Sequence, residues 1–164
     1  MPTQSYFVRI MFVCHGNICR STMGEFVMKD LVERRGASDQ VFIASAATSS
    51  EEIGNPVHPG TQEQLALHGI SCEGKRAVQL RAQDYDYYDM FIGMDSANVR
   101  NMRRLFKNDP QGKVYKMLEF PEMCDTDSAP DVADPWYTGD FEMTYYDIER
   151  GCDALWAFLK SQMR

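Results

Sequence analysis

Cys14-His15-Gly16-Asn17-Ile18-Cys19-Arg20-Ser21 gathers a thiol, a glycine and an arginine six positions after the thiol. Those residue types suit covalent chemistry on a phosphate. Successive backbone N–H groups wound around a centre form an anion nest, and a helix N-terminus adds partial positive charge. Gly16 permits backbone angles that other residues resist. Arg20 offers a planar fork that can hold two phosphoryl oxygens at once, which a lysine cannot do. The same field favours a thiolate at Cys14, so the stretch supplies both anion binding and a nucleophile, and a phospho-cysteine intermediate follows. The Gly-Lys-Ser/Thr ending of a nucleotide P-loop and the Gly-x-Gly-x-x-Gly of a dinucleotide loop are both absent.

Such a loop needs a frame that brings its N–H groups to one point. Tyr6 to Val13 is apolar and β-rich around a single Arg9, the pattern of a strand buried on both faces of a parallel sheet. Beyond the loop, Met23, Phe26, Val27 and Leu31 fall at helical spacing, and Thr22-Met23-Gly24-Glu25 has the form of a capping box. Further strands are expected at Val41 to Ala47, Met90 to Met94 and Val114 to Met117. Helices are expected from the His58-Pro59-Gly60 turn to about Gly69, from a Ser96 cap through Phe106, and over Phe141 to Met163, with Tyr85 to Tyr88 as a turn and a long irregular acidic segment before the last helix. Strands alternating with helices predict an α/β fold: a small doubly wound, four-stranded parallel sheet with helices on both faces, forming a single domain over residues 1–164. Ligands of such sheets sit beyond the carboxyl ends of the strands, so the phosphate-binding loop after the first strand lies where a site is expected.

Composition narrows the function classes. Of 164 residues, 24 are Asp or Glu and 17 Lys or Arg, a net charge of −7 that disfavours nucleic acid. From Leu118 to Asp153 eleven acids face one base, Arg150, while Arg100, Arg103, Arg104 and Lys107 read as the solvated face of one helix. The longest apolar run, Ala154 to Leu159, is far short of the roughly 20 residues a bilayer requires, and the first five residues lack the basic start of a leader. No membrane association is expected. Five cysteines at irregular spacings indicate reduced thiols and a cytoplasmic location. His15, His58 and His68 show no metal-ligand spacing; Cys72, Cys124 and Cys152 read as ordinary thiols, and Met94, Met102 and Met117 as core filler.

Val13 to Ser21 resembles the signature of the low-molecular-weight protein tyrosine phosphatases. Ser45-Ala46-Ala47-Thr48-Ser49, Met94-Asp95-Ser96-Ala97-Asn98 and Asp134-Pro135-Trp136 resemble further segments of that family in the same order, so the resemblance spans about Tyr6 to Met163. It implies a two-step hydrolysis of phosphotyrosine in proteins or peptides and of aryl phosphates. Cys14 would attack phosphorus, Arg20 would hold the equatorial oxygens, Ser21 would donate to the sulfur, and Asn17 would keep the loop in shape. His15, Gly16, Ile18 and Cys19 complete the substrate-binding loop, and phosphate, vanadate or other oxyanions would inhibit. No metal or cofactor is implied, because Arg20 and the nest supply the charge a metal would. The mechanism also needs an acid to protonate the departing phenolate, worth about 10²–10⁴-fold. Spacing alone cannot choose among Asp125, Asp127, Asp131, Asp134 and Asp140. The resemblance selects Asp134, which stands before a proline and an aromatic; Pro135 stiffens the loop, and Trp136 and Tyr137 would line the cleft.

Four positions depart from the family or bear on substrate choice. Glu51 stands where an aromatic cleft wall is common, and a carboxylate there would favour basic residues beside the phosphotyrosine. Lys75 replaces a frequent His that supports the loop polar groups, and Val78 a frequent Arg. Ile18 presents apolar surface suited to an aromatic ring, where the related protein arginine phosphatases carry Thr. Cys19, with four residues between it and Cys14, would by the same resemblance form a reversible disulfide that shields the thiolate. Two other readings stay open from sequence. An arsenate reductase on the same fold would need Cys72 or Cys124 near Cys14, and a non-catalytic phosphotyrosine-binding relic would keep the nest without turnover.

Overall fold

The computed structural model describes residues 5–163; the first four residues, part of the stretch that lacks a leader's basic start, lie outside them. Strand β1 (Val8–Cys14) alternates cleanly between two apolar environments. Val8, Ile10, Phe12 and Cys14 enter one core cluster, and Met11 and Val13 enter another. This two-sided burial explains why β1 reads as a continuous apolar run. It pairs in parallel with β2 (Val41–Ala47), from Val8 opposite Val41 to Cys14 opposite Ala47, and with β3 (Met90–Gly93). Strand β4 (Val114–Lys116) pairs in parallel with β3, giving the order β2-β1-β3-β4.

Helices cover both faces. The first cluster packs the sheet against α1 (Arg20–Arg34), through Met23, Val27, Met28 and Leu31, and α7 (Phe141–Gln162), through Tyr145, Ile148, Cys152, Leu155 and Leu159. The second packs it against Tyr85 of α3 (Asp84–Tyr87) and Val99 and Met102 of α4 (Ser96–Leu105). Helix α2 (Pro59–Leu67) is capped by His58, whose Nδ1 accepts the Gly60 N–H at 3.0 Å, and has Pro59 in its first turn. The acidic segment is less irregular than expected, for it contains α5 (Glu119–Glu122) and α6 (Pro135–Thr138). No helix among the described residues is long and apolar enough to cross a membrane.

Several boundaries differ from the sequence expectation. β1 starts two residues late because pairing with β2 begins at Val8, and it runs through Cys14. Helix α1 begins at Arg20, and the expected capping box at Thr22 to Glu25 does not form. Thr22 lies inside the helix, its Oγ1 donating to the Cys19 carbonyl at 2.8 Å, and Glu25 is buried and bonded elsewhere. Helix α4 is capped by Asp95 rather than Ser96. Asp95 accepts the Asn98 N–H at 2.8 Å while Asn98 Oδ1 accepts the Asp95 N–H at 3.1 Å, so the reciprocal box sits one residue earlier.

Candidate active site

The carboxyl end of β1 delivers Cys14 into a turn that α1 closes, and three backbone bonds pin that turn to its neighbours. The Thr48 N–H reaches the Cys14 carbonyl at 3.0 Å, the Ser49 N–H the His15 carbonyl at 3.1 Å, and the His58 N–H the Ile18 carbonyl at 2.9 Å. Within this frame the N–H groups of Asn17 and Ser21 point at Cys14 Sγ from 3.3 and 3.4 Å. The nest therefore already surrounds the sulfur. Gly16 does not take the left-handed backbone anticipated for it; that conformation falls on Asn17, at φ 60°. Space at Gly16 is tight but not closed, because a Cβ there would lie 3.3 Å from Glu52 Cγ, the middle of a flexible side chain.

Asn17 tolerates the left-handed region better than most residues, and its side chain, fully buried, organises the polar groups behind the sulfur. Its Oδ1 accepts the Val78 N–H at 3.0 Å, which directs Nδ2 to donate to Ser21 Oγ at 2.8 Å and Ser45 Oγ at 2.9 Å. Cys14 Sγ and Ser21 Oγ lie 3.1 Å apart; the protonated sulfur donates to Ser21, and once the sulfur carries no proton the Ser21 hydroxyl has its own to offer. Ser45 Oγ in turn donates to Glu25 Oε1 at 2.5 Å, and Lys29 Nζ donates to Glu25 Oε2 at 2.6 Å. Lys75 joins this chain at its far end. Its Nζ donates to the Ser45 carbonyl at 3.0 Å and lies 3.4 Å from Glu25 Oε1, so it acts on the buried carboxylate rather than on Asn17 or Ser21. Val78 contributes its backbone N–H while its side chain is exposed.

Arg20 is buried, and three contacts orient its guanidinium. NH1 donates to Asp95 Oδ2 at 2.8 Å and the Val132 carbonyl at 2.9 Å, and NH2 reaches Asp134 Oδ2 at 3.3 Å. Burial alone would lower the pKa of Arg20, but the negative charges of Cys14, Asp95 and Asp134 outweigh it and raise it above its ordinary value. Asp134 caps α6, its Oδ1 accepting the Trp136 N–H at 3.1 Å, which holds the other oxygen towards Arg20. Cys19 is buried, and desolvation, reinforced by Cys14 and Asp134, pushes its thiol up to about 12, so it keeps its proton at neutral pH.

These groups open into a cleft of about 230 Å³ lined by Cys14, His15, Gly16, Ile18, Cys19, Arg20, Glu51, Glu52, Asp134, Trp136 and Tyr137. Asn17 and Ser21 stand behind it. Trp136 and Tyr137 are 60% and 83% exposed, free to meet a ligand on the rim. The Trp136 ring also sits edge-on to His58, 5.9 Å between centroids. Glu51 is held by His15, Nε2 to Oε2 at 2.9 Å, which fixes a carboxylate where an aromatic wall was the alternative. Cys72 belongs to a different cavity, with Lys75 and Gln62, and neither it nor Cys124 lines the cleft. Sequence reasoning missed Glu52, Asp95, Glu25 and Ser45 as parts of the site. Only Asp95 carried a usable signal, as an acid directly after a strand that ends beside β1.

The arrangement can grip a tetrahedral oxyanion above a sulfur and hold a carboxyl group over its outer side. The family described as low molecular weight phosphotyrosine protein phosphatase matches residues 9–164. The chain is 41% identical over 157 residues to the low molecular weight protein-tyrosine-phosphatase YfkJ of Bacillus subtilis, covering 94% of this chain and 97% of the relative. The crystal structure of YfkJ superposes with a TM-score of 0.90 at 37% identity, covering 99% of this chain and all of that one. That of the low molecular weight protein tyrosine phosphatase from Streptococcus pyogenes gives 0.80 at 40% identity, covering 96% and 94%.

Proposed function

The chain belongs to the low molecular weight phosphotyrosine protein phosphatase family, and from that premise we propose that it hydrolyses phosphotyrosine in proteins or peptides with Cys14 as nucleophile, Arg20 as phosphate clamp and Asp134 as general acid. The observation that carries this reading is the convergence on one sulfur of two backbone N–H groups and the Ser21 hydroxyl, with Arg20 and Asp134 in the same cleft.

In the first half-reaction the Cys14 sulfur bonds to phosphorus as the bond to the phenolic oxygen breaks, and Asp134 gives that oxygen its proton. The N–H groups and Arg20 hold the charge spread over the three equatorial oxygens while the phosphoryl group passes from oxygen to sulfur. Phosphate entering the nest takes the outer guanidinium edge from Asp134, freeing its Oδ2 to face the leaving oxygen. In the second half-reaction water attacks the phospho-cysteine and Asp134 accepts its proton, while the Ser21 O–H, aimed by Asn17, stabilises the departing sulfur. Every charge the reaction develops meets a group of this chain, so each step can proceed on the chain's own residues.

Ile18 and the exposed rings of Trp136 and Tyr137 offer a phenyl ring apolar contact. Glu51 and Glu52 on the facing rim give that side a negative potential, which favours basic residues flanking the phosphotyrosine. Phosphate and vanadate are expected to compete for the nest. The five free thiols suit a reducing compartment, and we place the enzyme in the cytoplasm, acting as a single domain. The arsenate reductase reading lacks support, because Cys72 and Cys124 stand outside the cleft, and the intact set of Cys14, Arg20 and Asp134 argues against a binding relic. Hydrolysis of p-nitrophenyl phosphate tests the assignment: Cys14→Ser should be inactive and Asp134→Ala slow chiefly on poor leaving groups. Activity in Cys14→Ser at the wild-type rate would end it.

A further inference from the structure

Lys116, at the end of β4, has a fully enclosed ammonium although it does not line the cleft. Lysines are almost never buried unless every donor finds a partner, and here all three do. Nζ donates to Ser96 Oγ at 2.8 Å, to the Ala129 carbonyl at 2.6 Å and to Asp131 Oδ1 at 2.6 Å. Asp131 Oδ1 is held from the other side by the N–H and Oγ of Ser96, at 3.0 and 3.2 Å. One ammonium thus fastens the acidic segment at residues 129–131 to the first residue of α4. An apolar side chain would fill the same volume at lower desolvation cost, so packing alone does not account for a lysine.

The fastened stretch leads directly to the acid. Val132 follows, its N–H on the Met94 carbonyl at 2.8 Å and its own carbonyl taken by Arg20 at 2.9 Å. The Ala133 carbonyl accepts from Thr144 Oγ1 at 3.2 Å. Asp134 comes next; its carboxylate meets Arg20 and the Trp136 N–H, and its carbonyl accepts the Tyr137 and Thr138 N–H groups at 3.0 and 3.1 Å, bonds that tie it to α6, while the chain before it ties it to the sheet. Burial would raise the pKa of Asp131, yet the bonds from Lys116 and Ser96 hold it below the ordinary carboxylate value, so the fastening is charged at neutral pH.

We propose that Lys116 is a positioning residue that sets the placement of Asp134 over the phosphate site by bolting residues 129–131 to the start of α4; this rests on the reading of Asp134 as general acid. Arg20 keeps Asp95 and Val132 keeps Met94 when the bolt is removed, so phosphate binding and attack survive while proton delivery suffers. The readout is therefore the dependence on leaving group, which a merely structural role would not move. We compare kcat/KM on p-nitrophenyl phosphate, whose phenolate leaves readily, and on phenyl phosphate, whose phenolate needs the acid. For Lys116→Met and Asp131→Ala the first should fall by no more than about threefold and the second by about tenfold or more, a fraction of the full worth of general acid catalysis. Lys116→Arg should recover most of the phenyl phosphate activity. Equal losses on both substrates would overturn the proposal. If Lys116→Met fails to fold, Asp131→Ala still decides the matter, because from a half-exposed side chain it removes the charged tie nearest Asp134, both to Lys116 and to Ser96. Asp134→Asn, run alongside, separates the two ways of failing. A selective loss there but in neither bolt variant overturns the bolt alone, whereas no selective loss in Asp134→Asn overturns the acid assignment and the bolt with it.

Discussion

Replacing Asn17 tests the reasoning about the site at its most connected point. Asn17→Ala removes the acceptor of the part-buried Val78 N–H, which costs about 1 kcal/mol, the low end for a donor left unpaired. It also removes two donor bonds, to Ser21 and Ser45, whose hydroxyls keep Cys14 and Glu25 as partners; these are worth about 0.5–1.5 kcal/mol each. Finally it puts a Cβ without a stabilising amide at φ 60°, a left-handed penalty of about 1 kcal/mol. Because such contributions are not additive, the total is about 4 kcal/mol, or a Tm lower by about 8–16 °C for a domain of this size. Asn17→Gly loses the same hydrogen bonds but accepts the backbone angle, so it should be the more stable of the two by about 1 kcal/mol. In both, Ser21 is no longer oriented, and a hydrogen bond to a charged sulfur worth about 1.5–3 kcal/mol slows breakdown of the phospho-cysteine by about 10–150-fold. Thermal unfolding gives the first quantity, and pre-steady-state release of p-nitrophenol, with a burst that becomes more pronounced, gives the second. An Asn17→Ala protein as stable as Asn17→Gly, or either variant with unchanged intermediate breakdown, would refute this role for Asn17.

The rim charge predicts higher kcat/KM for phosphotyrosine peptides with flanking Lys or Arg than for acidic ones, with the preference reversed by Glu51→Lys and weakened by salt; equal values in the wild type would reject it. Peroxide should oxidise Cys14 to a sulfenic acid that condenses with the Cys19 thiol, releasing water, so that reductant restores the wild type but not Cys19→Ser, whereas equal recovery would exclude the disulfide. Asp131 has a lowered pKa in the fold, so its contribution to stability is present above the ordinary carboxylate value and lost as pH falls through the folded one. Wild type and Asp131→Asn should accordingly differ in Tm at pH 7 and converge as the solution becomes strongly acidic; a gap that persists unchanged would contradict this.

The strands were legible because parallel strands covered on both faces must be largely apolar, and β1 apart from Arg9 and β2 apart from Ser45 are. Helix starts were harder. Thr22 to Glu25 carries the letters of a capping box, but the helix begins three residues earlier, with Cys19 at the cap, because the nest itself occupies its first turn, and Glu25 is drawn inward by Ser45, Lys29 and Lys75. A local pattern cannot report such a partner 20 or 50 residues away. For the same reason Cys14 and Arg20, which lie in one stretch, could be paired from sequence, whereas Asp95 and Glu25 become parts of the site only when β3 and β2 stand beside β1. Gly16 and Asn17 show the limit within a motif: the glycine was credited with the unusual angle that the asparagine adopts.

The central claim is that phosphate passes through the sulfur of Cys14. Rapid quenching of the enzyme during turnover of an aryl phosphate, followed by mass spectrometry of its peptides, measures this directly. A single phosphoryl group on Cys14 is expected, more persistent in Asn17→Gly than in the wild type. A phosphoryl group on another residue, or turnover with no covalent phosphate detectable in either protein, would contradict it.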